Sequence, residues 1–314
     1  MADAGPTDRS SPPIANRGVY PHAEGDCPVP HFDWYGATVH AHYSTVLDHL
    51  EQAFLDAGED TKRVEGGAVK HYAGITFIQD AQGRKLAQVK HGGSQPNPHA
   101  EAEGVAAPIA AAALRSMREE HFVTRVDSAM DLTAEGLFEH LHDLARALEA
   151  EFGLHLNYAG AALDNRERGT TIYLGSKKSQ VFLRIYQKGL QIAEMQEMHR
   201  DAITPELRNW VRSELVFRPQ KKRIKAFGAT VTPGGVWGVS TWSQRFAKDA
   251  LSIDAERVNV NQRRESNHQR ALRYMAHQYR SHLDQLLRDC DGDYAEAMAV
   301  LVDLAGLSDQ RDAA

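Results

Sequence analysis

Residues 170–188 read Thr-Thr-Ile-Tyr-Leu-Gly-Ser-Lys-Lys-Ser-Gln-Val-Phe-Leu-Arg-Ile-Tyr-Gln-Lys. Both halves alternate apolar and polar residues, the period of a half-buried strand. Gly175, Ser176, Lys177, Lys178 and Ser179 lie between them as a polar turn, so the stretch is expected to form a β-hairpin. In its second strand Arg184, Tyr186 and Lys188 share one face, while Leu183 and Ile185, with Phe182, help anchor the strand. A tyrosine hydroxyl between two cations is placed to meet a phosphate. The plainer reading is a solvated Arg-Tyr-Lys row, since strands favour tyrosine anyway.

The rest of the chain must supply what this hairpin packs against. With 314 residues and 42% hydrophobic content it can bury a large core, and its length suggests about two domains. A formal charge of −6 gives no overall electrostatic case for nucleic acid, so any basic surface must be local. Cys27 and Cys290 match no metal spacing and fit a reducing compartment. The first residues lack the apolar core of a secretory signal, and no stretch approaches the ~20 apolar residues of a membrane span. A cytoplasmic protein with no membrane partner is expected.

Residues 1–30, rich in Pro, Gly, Ser and Asp, are expected to be a disordered arm. A strand is expected over 31–42, followed by a helix capped by Ser44 and running to Ala57. A hairpin follows over 71–78 and 86–90, then a strand over 99–103 and an Ala-rich helix over 105–117. Residues 122–132 alternate as a strand. Thr133 then caps an amphipathic helix with Leu137, Leu141, Leu144 and Leu148 along one stripe. A short strand over 154–158, the hairpin, a helix over 190–200 and a last strand over 210–217 complete the pattern. The fold class is therefore α+β, a mainly antiparallel sheet flanked by helices and followed by a helical C-terminal region. The expected division is 1–30, a catalytic domain over 31–225, and a helical region over 226–314.

Three strands carry polar residues at positions burial alone does not require. Arg125, Asp127, Ala129 and Asp131 share a face; so do Arg212 and Glu214; so do Arg184, Tyr186 and Lys188. If those faces meet, Asp127, Asp131 and Glu214 bring carboxylate oxygens of the kind Mg²⁺ or Mn²⁺ prefers close to a tyrosine. Tyrosine is a poor nucleophile at its usual pKa of about 10. Arg184, Lys188 and Arg212 are candidates to favour the phenolate and to hold a scissile phosphate. A solvated sheet face laced with salt bridges is the alternative.

The segments Arg-Val-Asp-Ser-Ala-Met-Asp-Leu (125–132), Thr-Ile-Tyr-Leu-Gly-Ser-Lys-Lys-Ser (171–179), Arg-Ile-Tyr-Gln-Lys-Gly (184–189) and Trp-Val-Arg-Ser-Glu-Leu-Val-Phe-Arg-Pro (210–219) together resemble the replication initiation factor family. These are trans-acting rolling-circle initiators of plasmids and filamentous phages. The resemblance covers about residues 30–225 and, more loosely, the tail. It implies a metal-dependent enzyme that nicks one strand of origin DNA, stays joined to the 5′ end through tyrosine and later rejoins the strand. Tyr186 matches the nucleophile position, Asp127 and Glu214 the acidic positions, and Asp131 a third; Tyr173 is the second choice of nucleophile. Where the family often carries acidic residues after the tyrosine, this chain has Gln187 and Gln191. The resemblance also implies double- and single-stranded origin DNA and a host helicase as partners.

Further signals complete the expectations. Ser176, Lys177, Lys178 and Ser179 form either a phosphate-contacting turn or a plain one. The basic residues Arg218, Lys221, Lys222, Arg223 and Lys225 form either a clamp on the DNA backbone beside the nicking site or a solvated helix face. Trp237 and Trp242 pack in the core or stack on unpaired bases. Leu272, Met275, Tyr279, Leu283 and Leu286 follow helical spacing and are expected in a core. Arg263, Arg264, Arg270 and Arg273 supply a face for duplex DNA or for a second copy of the chain. Two other functions stay open: a DNA-binding regulator that does not cut, and a nickase using a His40/His42 metal pair.

Overall fold

The computed structural model describes residues 28–160, 169–258, 272, 274–276 and 278–306. It divides into two compact units, 1–260 and 261–314. The expected arm, up to residue 27, and the basic face at Arg263, Arg264, Arg270 and Arg273 lie outside the described residues.

Among the described residues ten strands form one antiparallel sheet in the order β2-β3-β4-β5-β1-β6-β10-β9-β8-β7. They are β1 His31–Val39, β2 Thr61–Gly66, β3 Gly74–Asp80, β4 Lys85–His91, β5 His99–Glu103, β6 His121–Thr133, β7 Leu156–Gly160, β8 Thr170–Leu174, β9 Val181–Gln187 and β10 Trp210–Phe217. The 170–188 hairpin forms as expected, and the strands over 99–103 and 210–217 have the expected bounds. The first hairpin begins at Gly74 instead of residue 71, because Val69 and Tyr72 bridge each other first. Strand β2 is additional; Lys62, Arg63, Val64 and Glu65 are all exposed, so it carries no alternation to read.

The strands' two faces differ sharply. One packs under α1 Tyr43–Asp56, α2 Ala106–Ser116 and α3 Leu137–Phe152. Val46, Leu50 and Phe54 of α1, Ala110 and Leu114 of α2, and Leu141 and Leu148 of α3 share one hydrophobic core with Ile78, Val89, Val126, Leu183, Ile185 and Leu215 of the sheet. The other face carries the charged residues described below. Strand β10 is buried along its whole length because it lies between β6 and β9. Val211, Leu215 and Phe217 join the hydrophobic core while Arg212 and Glu214 are covered by their ion-pair partners.

The helix ends differ in detail from the sequence expectation. His42 caps α1, its imidazole accepting from Ser44 N. Strand β6 runs through Thr133, so α3 is entered from Gly136 at φ 72°. Helix α4 is Lys188–Met195, so Lys188 opens a helix where the sequence suggested the end of a strand; α5 is Pro205–Asn209. These two helices touch at Gly189, where an added Cβ would lie 1.7 Å from the Leu207 carbonyl oxygen. Gly189→Ala is therefore expected to cost about 1–3 kcal/mol through forced separation of α4 from α5. Urea unfolding of the variant checks it.

The sheet unit does not end near residue 225. Helices α6 Lys222–Thr230, α7 Pro233–Val236 and α8 Thr241–Leu251 belong to it, and it continues to Val260. Trp237 is fully buried, donates to Ser128 Oγ at 3.0 Å and stacks on Phe246. Trp242 is buried too, so both tryptophans are core residues instead of base platforms. The second unit contains helices Arg280–Asp289 and Tyr294–Leu304. The stripe expected as its core is largely open: Leu272, Met275 and Tyr279 are about half exposed and Leu283 and Leu286 partly buried.

Candidate active site

The register of four strands builds the site. Asp131, Arg212, Tyr186 and Thr171 pair in one row across β6, β10, β9 and β8. Ala129, Glu214, Arg184 and Tyr173 form the next row. Directly paired residues point to the same side of a sheet, so the three polar faces read from the sequence do meet.

Their charges are mutually neutralised. Arg212, 1% exposed, donates from Nε and Nη2 to the two oxygens of Asp131 at 2.8 and 2.7 Å. Its Nη1 donates to Asp33 at 2.7 Å, and Trp210 Nε1 adds a 2.8 Å bond to Asp131. Arg184 Nη2 bonds to Glu214 Oε1 and lies 3.7 Å from Asp127. Asp127 also accepts from Arg125 Nε at 2.9 Å, and that guanidinium lies 4.3 Å over the Trp34 ring. Lys188 completes the set, donating to Gln191 at 3.3 Å. Asp33, Asp127, Asp131 and Glu214 thus face Arg125, Arg184, Arg212 and Lys188, four anions against four cations.

Asp33 is the member the sequence did not reveal. The pairing of β1 with β6 slips between Phe32 and Trp34, leaving Asp33 as the extra residue of a bulge. A bulge re-aims side chains, and here Asp33 and Trp34 both reach the charged face while Phe32 and Tyr35 stay in the core. Strict alternation hides this, because it would group Asp33 with buried Tyr35.

Tyr186 sits among these charges, half-buried, its hydroxyl donating to Glu214 Oε2 at 3.4 Å. Cations were expected to favour its phenolate. Instead its pKa is raised: burial pushes it up, and Asp33 adds to this against the opposing Arg212 and Arg184. The reason is compensation, since each guanidinium is already paired with a carboxylate. Burial works to raise Asp33 also, but Arg212 and then Lys188 hold it below the usual range. Asp127 is raised by burial despite Arg125 and Arg184. Lys188 is lowered to about 8 by burial and then by Arg212, against Asp33 and Asp131.

Among the described residues two buried side-chain polar atoms lack a hydrogen-bond partner, and one is Arg184 Nε. Its side chain is 31% exposed. The site therefore holds an unsatisfied guanidinium donor that is closed to solvent while Arg184 stays on Glu214, and that an anion reaches once the side chain shifts.

The resemblance implies a divalent ion held by Asp127, Asp131 and Glu214. The oxygen donors are of the right chemistry, but their arrangement does not fit one. Each carboxylate is bonded to an arginine, and no three acidic or histidine ligands converge among the described residues. Free protein is accordingly expected to give no saturable heat on calorimetric titration with micromolar Mn²⁺. Stoichiometric binding would show that an arginine yields its carboxylate.

The expected DNA contacts divide. Ser176, Lys177 and Lys178 are exposed at the β8–β9 turn, but the serines build that turn: Ser176 Oγ accepts from Lys178 N, and Ser179 Oγ donates to Ser176 O. Arg218 braces it through Lys177 O at 2.7 Å. Lys221, Lys222, Arg223 and Lys225 are not beside Tyr186. Lys222 Nζ lies 5.2 Å over Phe122 at the far end of β6, while Gly228 of the same helix packs on Val123. The nine residue steps from Phe122 to Asp131 span about 30 Å. The histidine pair does not form either, because His42 is used as a helix cap and His40 lies against Phe122 at 5.0 Å. Gln187 and Gln191 have structural partners, Thr170 N and Lys188 Nζ.

The family model described as replication initiation factor matches residues 121–301, more than half of the chain. The chain belongs to the replication initiation factor family. The matched region contains Asp127, Tyr186 and Glu214 but begins after Asp33 and β1. No curated protein matches the sequence. Among solved structures, a rolling-circle replication initiator protein from Geobacillus stearothermophilus is similar at 16% identity and a TM-score of 0.46. It covers 74% of this chain and 100% of its own. No described helix is long and apolar enough to cross a membrane.

Proposed function

We propose that this family member is a rolling-circle replication initiator. It nicks single-stranded origin DNA through Tyr186, holds the 5′ end as a phosphotyrosine ester and rejoins it. The observation that carries this reading is the Tyr186 hydroxyl donating to Glu214 beside Arg184, whose Nε has no partner. The scissile phosphate takes that donor and draws Arg184 from Glu214. Glu214, released, accepts the phenol proton as the oxygen attacks phosphorus. The P–O3′ bond breaks, and the 3′ oxygen takes a proton from solvent water and leaves as a hydroxyl, while the phenol proton stays on Glu214. Because the phenol's pKa is raised, proton removal accompanies attack and no standing phenolate is needed. The reverse step, attack by a 3′-hydroxyl, rejoins the strand; one phosphodiester replaces another in each direction.

Lys188 serves in its charged form, so its role has a pH signature. Only the ammonium attracts phosphate, and Lys188 loses its proton near pH 8. The rate at low DNA concentration is expected to fall as pH rises through about 8, and this limb should vanish in Lys188→Gln. A pH–rate profile of both proteins checks it.

The basic end of the sheet at Lys221, Lys222, Arg223 and Lys225 then serves duplex flanking the nick, well away from the reacting phosphate. The protein works in the cytoplasm, with a helicase and a second copy of the chain as further partners. The resemblance also implies Mg²⁺ or Mn²⁺, which the steps above do not use. A second reading, a regulator that binds without cutting, is favoured by the paired arginines and the raised phenol. Incubation with 3′-labelled single-stranded origin DNA separates them: a covalent adduct on a denaturing gel supports the nickase, and binding without an adduct supports the regulator.

A further inference from the structure

A cleft of about 510 Å³ opens beside the site at the β7–β8 edge of the sheet, lined in part by His155, Asn157, Tyr173 and Lys177. Asn157, Tyr173, Arg184 and Glu214 pair in a single row, so the cleft floor continues the catalytic face. Tyr173 is two residues along β8 from Thr171, the direct partner of Tyr186. That diagonal separates the two tyrosines by about 7–8 Å at the backbone, within reach of one extended nucleotide. The Tyr173 ring is half-buried, and the Lys177 ammonium lies 3.6 Å over its centroid. Lys177 belongs to the turn that Arg218 braces.

We propose that this cleft binds the base of a nucleotide adjoining the scissile phosphate. Tyr173 is its stacking platform, and Lys177 guards the ring while the site is empty. An entering base takes the ring face, and the displaced ammonium moves to a backbone phosphate. Stacking suits an unpaired strand of any sequence, because every base presents a π-face. Asn157 and His155, both exposed at the rim, offer hydrogen bonds to a base edge. Tyr173 is thus a binding residue, and its hydroxyl takes no part in strand transfer.

The inference rests on the reading of the chain as a single-strand nickase, and the test separates their failures. Binding of a fluorescein-labelled oligothymidylate to the full chain is measured by anisotropy over a salt series, alongside the adduct assay. Tyr173→Ala is expected to weaken binding about tenfold with an unchanged salt slope, and Tyr173→Phe to bind like the parent. Lys177→Ala is expected to reduce the slope of log K against log salt by about 0.7, one phosphate contact on a single strand. If Tyr173→Ala does not fold by circular dichroism, Tyr173→Leu and the Lys177→Ala slope decide. Undiminished binding by Tyr173→Ala or Tyr173→Leu, with the adduct still formed on Tyr186, overturns the subsite and leaves the nickase standing. Loss of the adduct in Tyr173→Phe also overturns it, because the hydroxyl is then needed. Weakened binding by Tyr173→Ala in a protein that forms no adduct supports the subsite and removes the nickase. Absence of any binding by the parent chain overturns both.

Discussion

Tyr186→Phe is expected to abolish the covalent protein–DNA adduct and to lower nicking by about a thousandfold or more, the scale of loss when a nucleophile is removed. The variant is nevertheless expected to fold. It loses one hydrogen bond, to Glu214, and Glu214 keeps its pairing with Arg184. The expected stability change is about 1 kcal/mol, so circular dichroism and urea unfolding should report a near-native protein. Affinity for single-stranded DNA should persist as well, because Arg184, Lys188 and the cleft at Tyr173 are untouched. Measured together, adduct, stability and affinity separate loss of chemistry from loss of fold.

Arg212→Ala has the largest expected effect on stability. Arg212 is fully enclosed and bonded to both Asp131 and Asp33. Removing it strands two carboxylates beside β10 at a cost of about 3–5 kcal/mol, a large part of the 5–15 kcal/mol that holds a typical domain. The effect depends on pH with a definite sign. In the parent, the Asp33 carboxyl is held below its unfolded pKa, so it stabilises above about pH 4 and that contribution is lost as pH falls. In the variant this support is absent, and protonation relieves the stranded charge. The gap between parent and variant should therefore narrow below about pH 4, measured by urea unfolding at pH 7 and at pH 3.5.

Much of this was readable in the residues, for identifiable reasons. Trp210–Phe217 alternates Arg212 and Glu214 with Val211 and Leu215, and that period fixes both a strand and two faces. The hairpin and Asp127 with Asp131 follow the same logic, so their meeting on one face was legible. The bulge at Asp33 was not, because it depends on pairing between β1 and β6 and no residue type marks it. Compensation of the charges was not legible either. Whether Arg212 meets a phosphate or Asp131 is set by register, and a list of basic residues cannot tell. The run from Lys221 to Lys225 follows β10 in the chain yet lies at the far end of β6 from Tyr186, since a strand carries its ends far apart. Strand β2 escaped because its Lys62, Arg63, Val64 and Glu65 are all exposed.

The most direct measurement is the identity of the residue that carries DNA. The full chain, incubated with 3′-labelled single-stranded DNA from the origin of its own replicon, is denatured and digested, and the labelled peptide is mapped by mass spectrometry. The account predicts a phosphodiester on Tyr186, within the peptide containing Arg184-Ile185-Tyr186. A linkage on Tyr173, or cut DNA with no protein attached, would contradict it.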